Sequence, residues 1–221
     1  MPALTPAVRM GLSVGLATGL YGLSFGALAV AAGLTVGQTV ALSALMFTGG
    51  SQFAFVGVLG GGGTPGAAVA AASLLGLRNG VYGVALDGML HPPGRLKPLY
   101  AHLTIDESTA TASAQEDPDE QRRGFWTAGV AVWVSWTLFT ALGAVAGGAL
   151  DPRRCGLDGA AVAAFVGLLW PRLHNRDAWA TAVLCAVVTA LLVPAVPPGV
   201  PIIVAAFVAF GLATWQHRRD A

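Results

Sequence analysis

The sequence predicts an all-α, polytopic membrane bundle of about seven transmembrane helices, and three observations carry that expectation. Only 10% of residues are charged, whereas a soluble domain is usually near a quarter. Mean hydropathy is +0.67. Apolar runs near the roughly 20 residues needed to cross the hydrocarbon recur along the whole chain. Residues 1–221 therefore read as a single transmembrane domain. A net charge of +1 provides no basic face for nucleic acid. Glycine and proline lie inside the apolar runs, which points to broken, closely packed helices and hence to a transporter rather than an anchor.

The first span, 10–33, carries Gly11, Gly15 and Gly19, then Gly22 and Gly26, as ridges of small residues that let another helix approach. Interleaved with them, Tyr21, Ser24 and Phe25 are candidates for a cavity wall. The second span, 38–60, holds LMFTGGSQFAF, where Gly49-Gly50 and the polar Thr48, Ser51 and Gln52 interrupt an apolar helix. A break there frees N–H groups suited to a carboxylate and carbonyls suited to an ammonium. Thr48, Gly49, Gly50, Ser51 and Gln52 are therefore the first candidate binding residues, with Met46, Phe47, Phe53 and Phe55 as apolar surface.

The third span, 66–90, places Arg78 and Asn79 near the depth where a charge costs most, about 2.5 to 3.5 kcal/mol on insertion scales. No acidic residue lies within one turn, and the guanidinium is a candidate partner for a substrate carboxylate, with Asn79 and Tyr82 as neutral donors. An acid supplied by another span is the competing expectation. Residues 91–123 follow as the long polar loop between two halves; its pair Asp106-Glu107 is a candidate for gating or proton transfer, against a solvated face or helix cap.

The second half contributes spans at 124–150, 158–171, 177–196 and 199–215. Three spans on either side of the loop would allow a three-plus-three inverted repeat with one span left over. His102 and His174 read as structural, Cys155 and Cys185 as packing residues, and no spacing suits a metal, a cofactor or an enzyme's nucleophile. With seven spans, the excess of Arg and Lys places the long loop and C-terminus in the cytoplasm and the N-terminus outside.

The stretches GLYGLSFGALAVAAGL, ALSALMFTGGSQFAFVGVL, LLGLRNGVYG and TIDES, in this order, resemble the AzlC-type branched-chain amino acid permease family, the large subunit of YgaZ/YgaH-like exporters. They cover the first half up to residue 108, while the second half is similar in hydropathy and length. The resemblance implies a bacterial inner-membrane exporter of branched-chain or similar apolar amino acids, working with a small AzlD-type membrane subunit. The chain has no GxxxxGK[ST] phosphate loop, so an ion gradient is the expected energy source. The competing expectation is an accessory membrane subunit without transport of its own, or a chain that encloses its pathway only as a homo-oligomer.

Overall fold

The structure, a computed structural model, describes residues 4–149, 166, 169–170 and 173–220. The expected span at 158–171 and Cys155 lie largely or wholly outside the described residues. What is described is helical throughout, and the chain is a multi-pass membrane protein. Four helices are long and apolar enough to cross a membrane: α1 (Pro6–Ala31), a second running Pro65–Leu90, a third whose apolar window lies in Pro118–Gly148, and a fourth in Val200–Arg219. Two of the starts have a clear local cause. Thr5 caps α1 by accepting the Val8 N–H, with Pro6 in the first turn, where its missing N–H costs nothing. Thr64 accepts the Ala67 N–H and Pro65 follows it in the same way.

The glycine ridge of α1 packs against α7 (Pro118–Ala149). A Cβ built on Gly11 would lie 2.8 Å from the Ala128 nitrogen, one on Gly15 2.5 Å from the Ala131 Cβ, and one on Gly22 2.7 Å from the Trp136 oxygen; Gly26 abuts Thr140. Sequence numbers rise together along this seam, so α1 and α7 run parallel and both begin on one face, here the near face. Gly143 and Gly147 return the favour against Leu23 and Ala27. Backbones thus meet directly, and Ser135 Oγ donates to the Gly15 carbonyl at 2.6 Å across the seam.

The expected second span does not cross. It forms α2 (Val36–Leu45) and α3 (Gly49–Gly60), broken at Met46-Phe47-Thr48, and the chain turns back there. Gly60 returns to within 3.4 Å of Ala32, just before α2 starts, so both ends of the pair lie at the far face, where α1 ends. The turn costs α2 its C-terminal partners, and Gln52 replaces them: its Nε2 lies 3.0 to 3.2 Å from the carbonyls of Leu42, Ser43 and Met46. Trp133 Nε1 donates to the Ala44 carbonyl at 3.1 Å.

From the far face, α4 (Pro65–Leu90) descends antiparallel to α3 and ends at His91, φ 47°, followed by Pro92-Pro93, which bar further helix. The polar segment expected as a loop is largely helical. A short 3₁₀ turn leads into α5 (Lys97–Leu103) and α6 (Asp106–Ser113). Lys97 pairs with Asp87 at 2.7 Å, near the end of α4, whereas Asp106 reaches Arg78, nine residues higher up that helix. Thr111 then packs against Gly124, close to the start of α7. The segment therefore enters from the near face, turns at Thr104-Ile105 and leaves by the same face. Ser108 pins the turn, accepting the Ile105 N–H and donating to the Leu103 carbonyl at 2.6 Å.

Residues 6–113 thus cross twice and dip twice, from opposite faces. Two crossings, not the expected three, precede the α5–α6 hairpin, so it shares a face with the N-terminus, where the expectation had placed the two on opposite sides. Beyond α7, α8 (Arg176–Leu192) and α9 (Val200–Asp220) form an antiparallel pair, with Cys185 Sγ donating to the Ala205 carbonyl. Gly199, just before α9, sits beside Val58 and Ala67 at the far face.

Candidate functional site

The tips of the two hairpins meet halfway through the bundle and help to line a cavity of about 280 Å³. One tip supplies Phe47, Thr48, Gly49 and Gly50, the other Ile105, Asp106 and Glu107. Between them stand Thr18 and Tyr21 of α1, Arg78 of α4, and Val132 and Trp136 of α7. The volume is close to the lower end of the roughly 300–1,000 Å³ typical of small-molecule sites, and most of the exposed lining is apolar.

At the α3 start, Thr48 makes no side-chain cap, so the N–H groups of Gly49, Gly50 and Ser51 keep no acceptor within the helix. Glycine at position 50 lets its neighbour lie close: a Cβ there would sit 3.0 Å from Arg78 Nη2 and push the guanidinium aside. The guanidinium thus lies against the positive end of α3, and two cationic groups converge on one wall. Arg78 does have an acidic partner, as the competing expectation allowed, but it comes from the α5–α6 tip and not from another span. Its Nη2 is 2.9 Å from Asp106 Oδ2, while its buried Nε has no partner among the described residues. Asp106 also accepts from the Tyr82 hydroxyl at 2.7 Å.

The expectation that carbonyls freed by the break await an ammonium is corrected by the same hydrogen bonds that hold the turn. Gln52 is fully buried and spends its amide nitrogen on those carbonyls and its Oε1 on Trp136 Nε1, at 2.8 Å. It stands behind the cavity, not in its wall. Ser51 is likewise buried, 3.5 Å from Thr48 Oγ1, and does not line the cavity. Asn79 faces away from the lining, with a buried Oδ1 that has no partner among the described residues. Of the three α1 candidates, Tyr21 lines the cavity. Phe25 packs behind it, 5.6 Å from Phe53 and 6.0 Å from Trp136, and Ser24 is not in the lining. His102 packs its ring 5.8 Å from Phe47, behind the tip contact.

Sequence reasoning missed Trp136. Its signal was available: an indole N–H deep in an apolar run needs an acceptor, and Gln52 was the nearest candidate of matching depth in another run. Among the described residues no group of His, Cys, Asp and Glu could hold a metal ion.

Two comparisons, with curated proteins and with solved structures, find no match. The family model for the AzlC protein matches residues 13–150, a stretch that contains most of α1, both hairpins, α4 and α7, and every residue just placed around the cavity. That family is a transporter family linked to branched-chain amino acids, and it is not enzymatic. With more than half of its length matched, and with that stretch holding both hairpin tips, Arg78 and Trp136, the chain belongs to the AzlC protein family.

Proposed function

We propose that this chain exports branched-chain, apolar amino acids across the bacterial inner membrane by ion-coupled alternating access, with a small AzlD-type membrane subunit as partner. The observation that carries the substrate class is the pairing of opposite charges across a small, mostly apolar cavity. Arg78 and the α3 N–H groups suit a carboxylate; Asp106 and Glu107, on the facing tip, suit an ammonium. An amino acid zwitterion brings both and can exchange with the partly buried Arg78–Asp106 pair without leaving either charge uncompensated. Phe47, Phe53, Leu75 and Val132 then surround an aliphatic side chain.

Orientation follows from the positive charges. Arg9, Arg95, Lys97, Arg122 and Arg123 lie toward the near face, and α9 carries Arg218 and Arg219 back from the far face. The near face is therefore cytoplasmic, by the positive-inside tendency, and the substrate enters there.

The test is efflux of valine, leucine and isoleucine from cells preloaded through peptides, with and without the small subunit. Parent chain should accelerate loss, and Arg78→Ala should abolish it at unchanged membrane abundance. Retained efflux in Arg78→Ala at normal abundance refutes the carboxylate site.

A further inference from the structure

A second cavity, of about 370 Å³, opens toward the near face between α1, α4 and α6. Met10, Val14, Tyr82 and Thr111 are among its walls, and it shares Asp106 and Glu107 with the central cavity. Those two carboxylates therefore form the partition between the cavities. Asp106 is bonded on the central side to Arg78, at 2.9 Å, and on the near side to Tyr82, at 2.7 Å. Arg78 lines only the first cavity and Tyr82 only the second.

On the far side the central cavity is backed by much more. Phe25, Phe53 and Trp136 pack ring against ring at 5.6 to 6.1 Å, and Gln52 ties the α2–α3 hairpin behind them. The two closures differ in kind: the far one is several side chains thick, and the near one is the Asp106–Glu107 pair, with Asp106 bonded to Arg78 and to Tyr82.

We propose that the second cavity is the cytoplasmic vestibule of the transport path, and that the Tyr82 hydroxyl is the latch that holds Asp106 across its inner end. Tyr82 is thus a positioning residue, acting through Asp106. The proposal rests on the reading of the central cavity as the transport site, and it adds the route into it. Entry of a zwitterion is coupled to opening, because its carboxylate competes with Asp106 for Arg78 and its ammonium competes with Tyr82 for Asp106. The α5–α6 tip, whose turn is closed internally by Ser108 and which is tied to α4 through Asp106, is the element that swings.

The experiment reads accessibility, so it needs no knowledge of the amino acid carried. In a full-length background with Cys155→Ser and Cys185→Ala, single reporters are placed at Ala110, in the vestibule, and Thr18, in the central cavity. A charged, membrane-impermeant methanethiosulfonate is applied to the cytoplasmic face of inside-out vesicles. Ala110→Cys should react in every background. Thr18→Cys should be slow in the parent and at least about tenfold faster with Tyr82→Phe, the scale set by one lost hydrogen bond to a carboxylate. Asp106→Asn, read in the same way, keeps the shape of the partition and removes its pairing with Arg78, and should also accelerate Thr18→Cys.

Equal Thr18→Cys rates in the parent and both variants overturn the latch. So does a parent rate equal to that of Ala110→Cys. If the latch passes and no branched-chain efflux is found, the substrate class falls alone; if efflux is found and rates are equal, only the latch falls.

Discussion

Replacing Gln52 by leucine should unseat the α2–α3 tip, and the size of the effect follows from its partners. The amide has two N–H hydrogens and faces three carbonyls; that of Leu42 also accepts the Met46 N–H at 3.0 Å, so it keeps a partner. Leucine leaves three groups unmatched: the Ser43 carbonyl, the Met46 carbonyl and Trp136 Nε1. Interhelical hydrogen bonds in membrane proteins measure about 0.6 kcal/mol each, which sets a floor near 2 kcal/mol for three. Leaving buried groups unpaired costs about 1 to 3 kcal/mol apiece, which sets a ceiling near 9. Trp136→Phe removes one donor and leaves Gln52 Oε1 unmatched, so it should cost about a third as much. The assay is unfolding of the purified protein in detergent, with amide exchange at Met46 to Ser51 as the local readout. A Gln52→Leu protein within about 0.5 kcal/mol of the parent, with tip exchange unchanged, would refute the clamp.

Gly26→Val should cost about 1 to 3 kcal/mol or block assembly, because its Cβ would enter the Thr140 backbone; the proportion of folded protein recovered from membranes reads this out. Gly50→Ala should fold but displace the Arg78 guanidinium, raising the KM for transport severalfold; an unchanged KM speaks against its place beside the bound carboxylate. Lys97→Ala should change stability by under about 1 kcal/mol, since both members of its pair with Asp87 are half exposed. A larger loss would mean that this pair anchors the α5–α6 hairpin.

The helical class and a break in the second run were legible because polar residues and paired glycines have no business in an uninterrupted apolar run, although the break falls at Met46-Phe47-Thr48 and the glycines open the next helix. The direction of the chain after the break was not. A run of 23 residues from 38 to 60 has the same hydropathy whether it crosses or folds back, and only the return of Gly60 to Ala32 separates the two. The polar segment failed for the opposite reason. Its helices, of seven and eight residues, are too short and too polar to register as membrane elements, though Asp106 and Glu107 were singled out within them. The partner of Arg78 lies 28 residues away in the chain, beyond any periodicity argument. Gln52 was found by its polarity and given the wrong neighbour, because an amide beside a break suits a ligand and a carbonyl cage equally well.

The order in which the parts leave the ribosome gives the parallel seam of α1 and α7 a consequence for biogenesis. By residue 117 the chain already holds both hairpin tips and Arg78, yet it lacks the wall that carries Val132 and Trp136 and the glycine-fitted partner of α1. The apolar α2–α3 run must pass the insertion machinery looking like a spanning helix, and the polar α5–α6 segment looking like a loop. Both acquire their final places only when α7 arrives, so a nascent chain halted before it should be recognised by quality-control proteases as incomplete, despite carrying nearly every residue that touches the cavity.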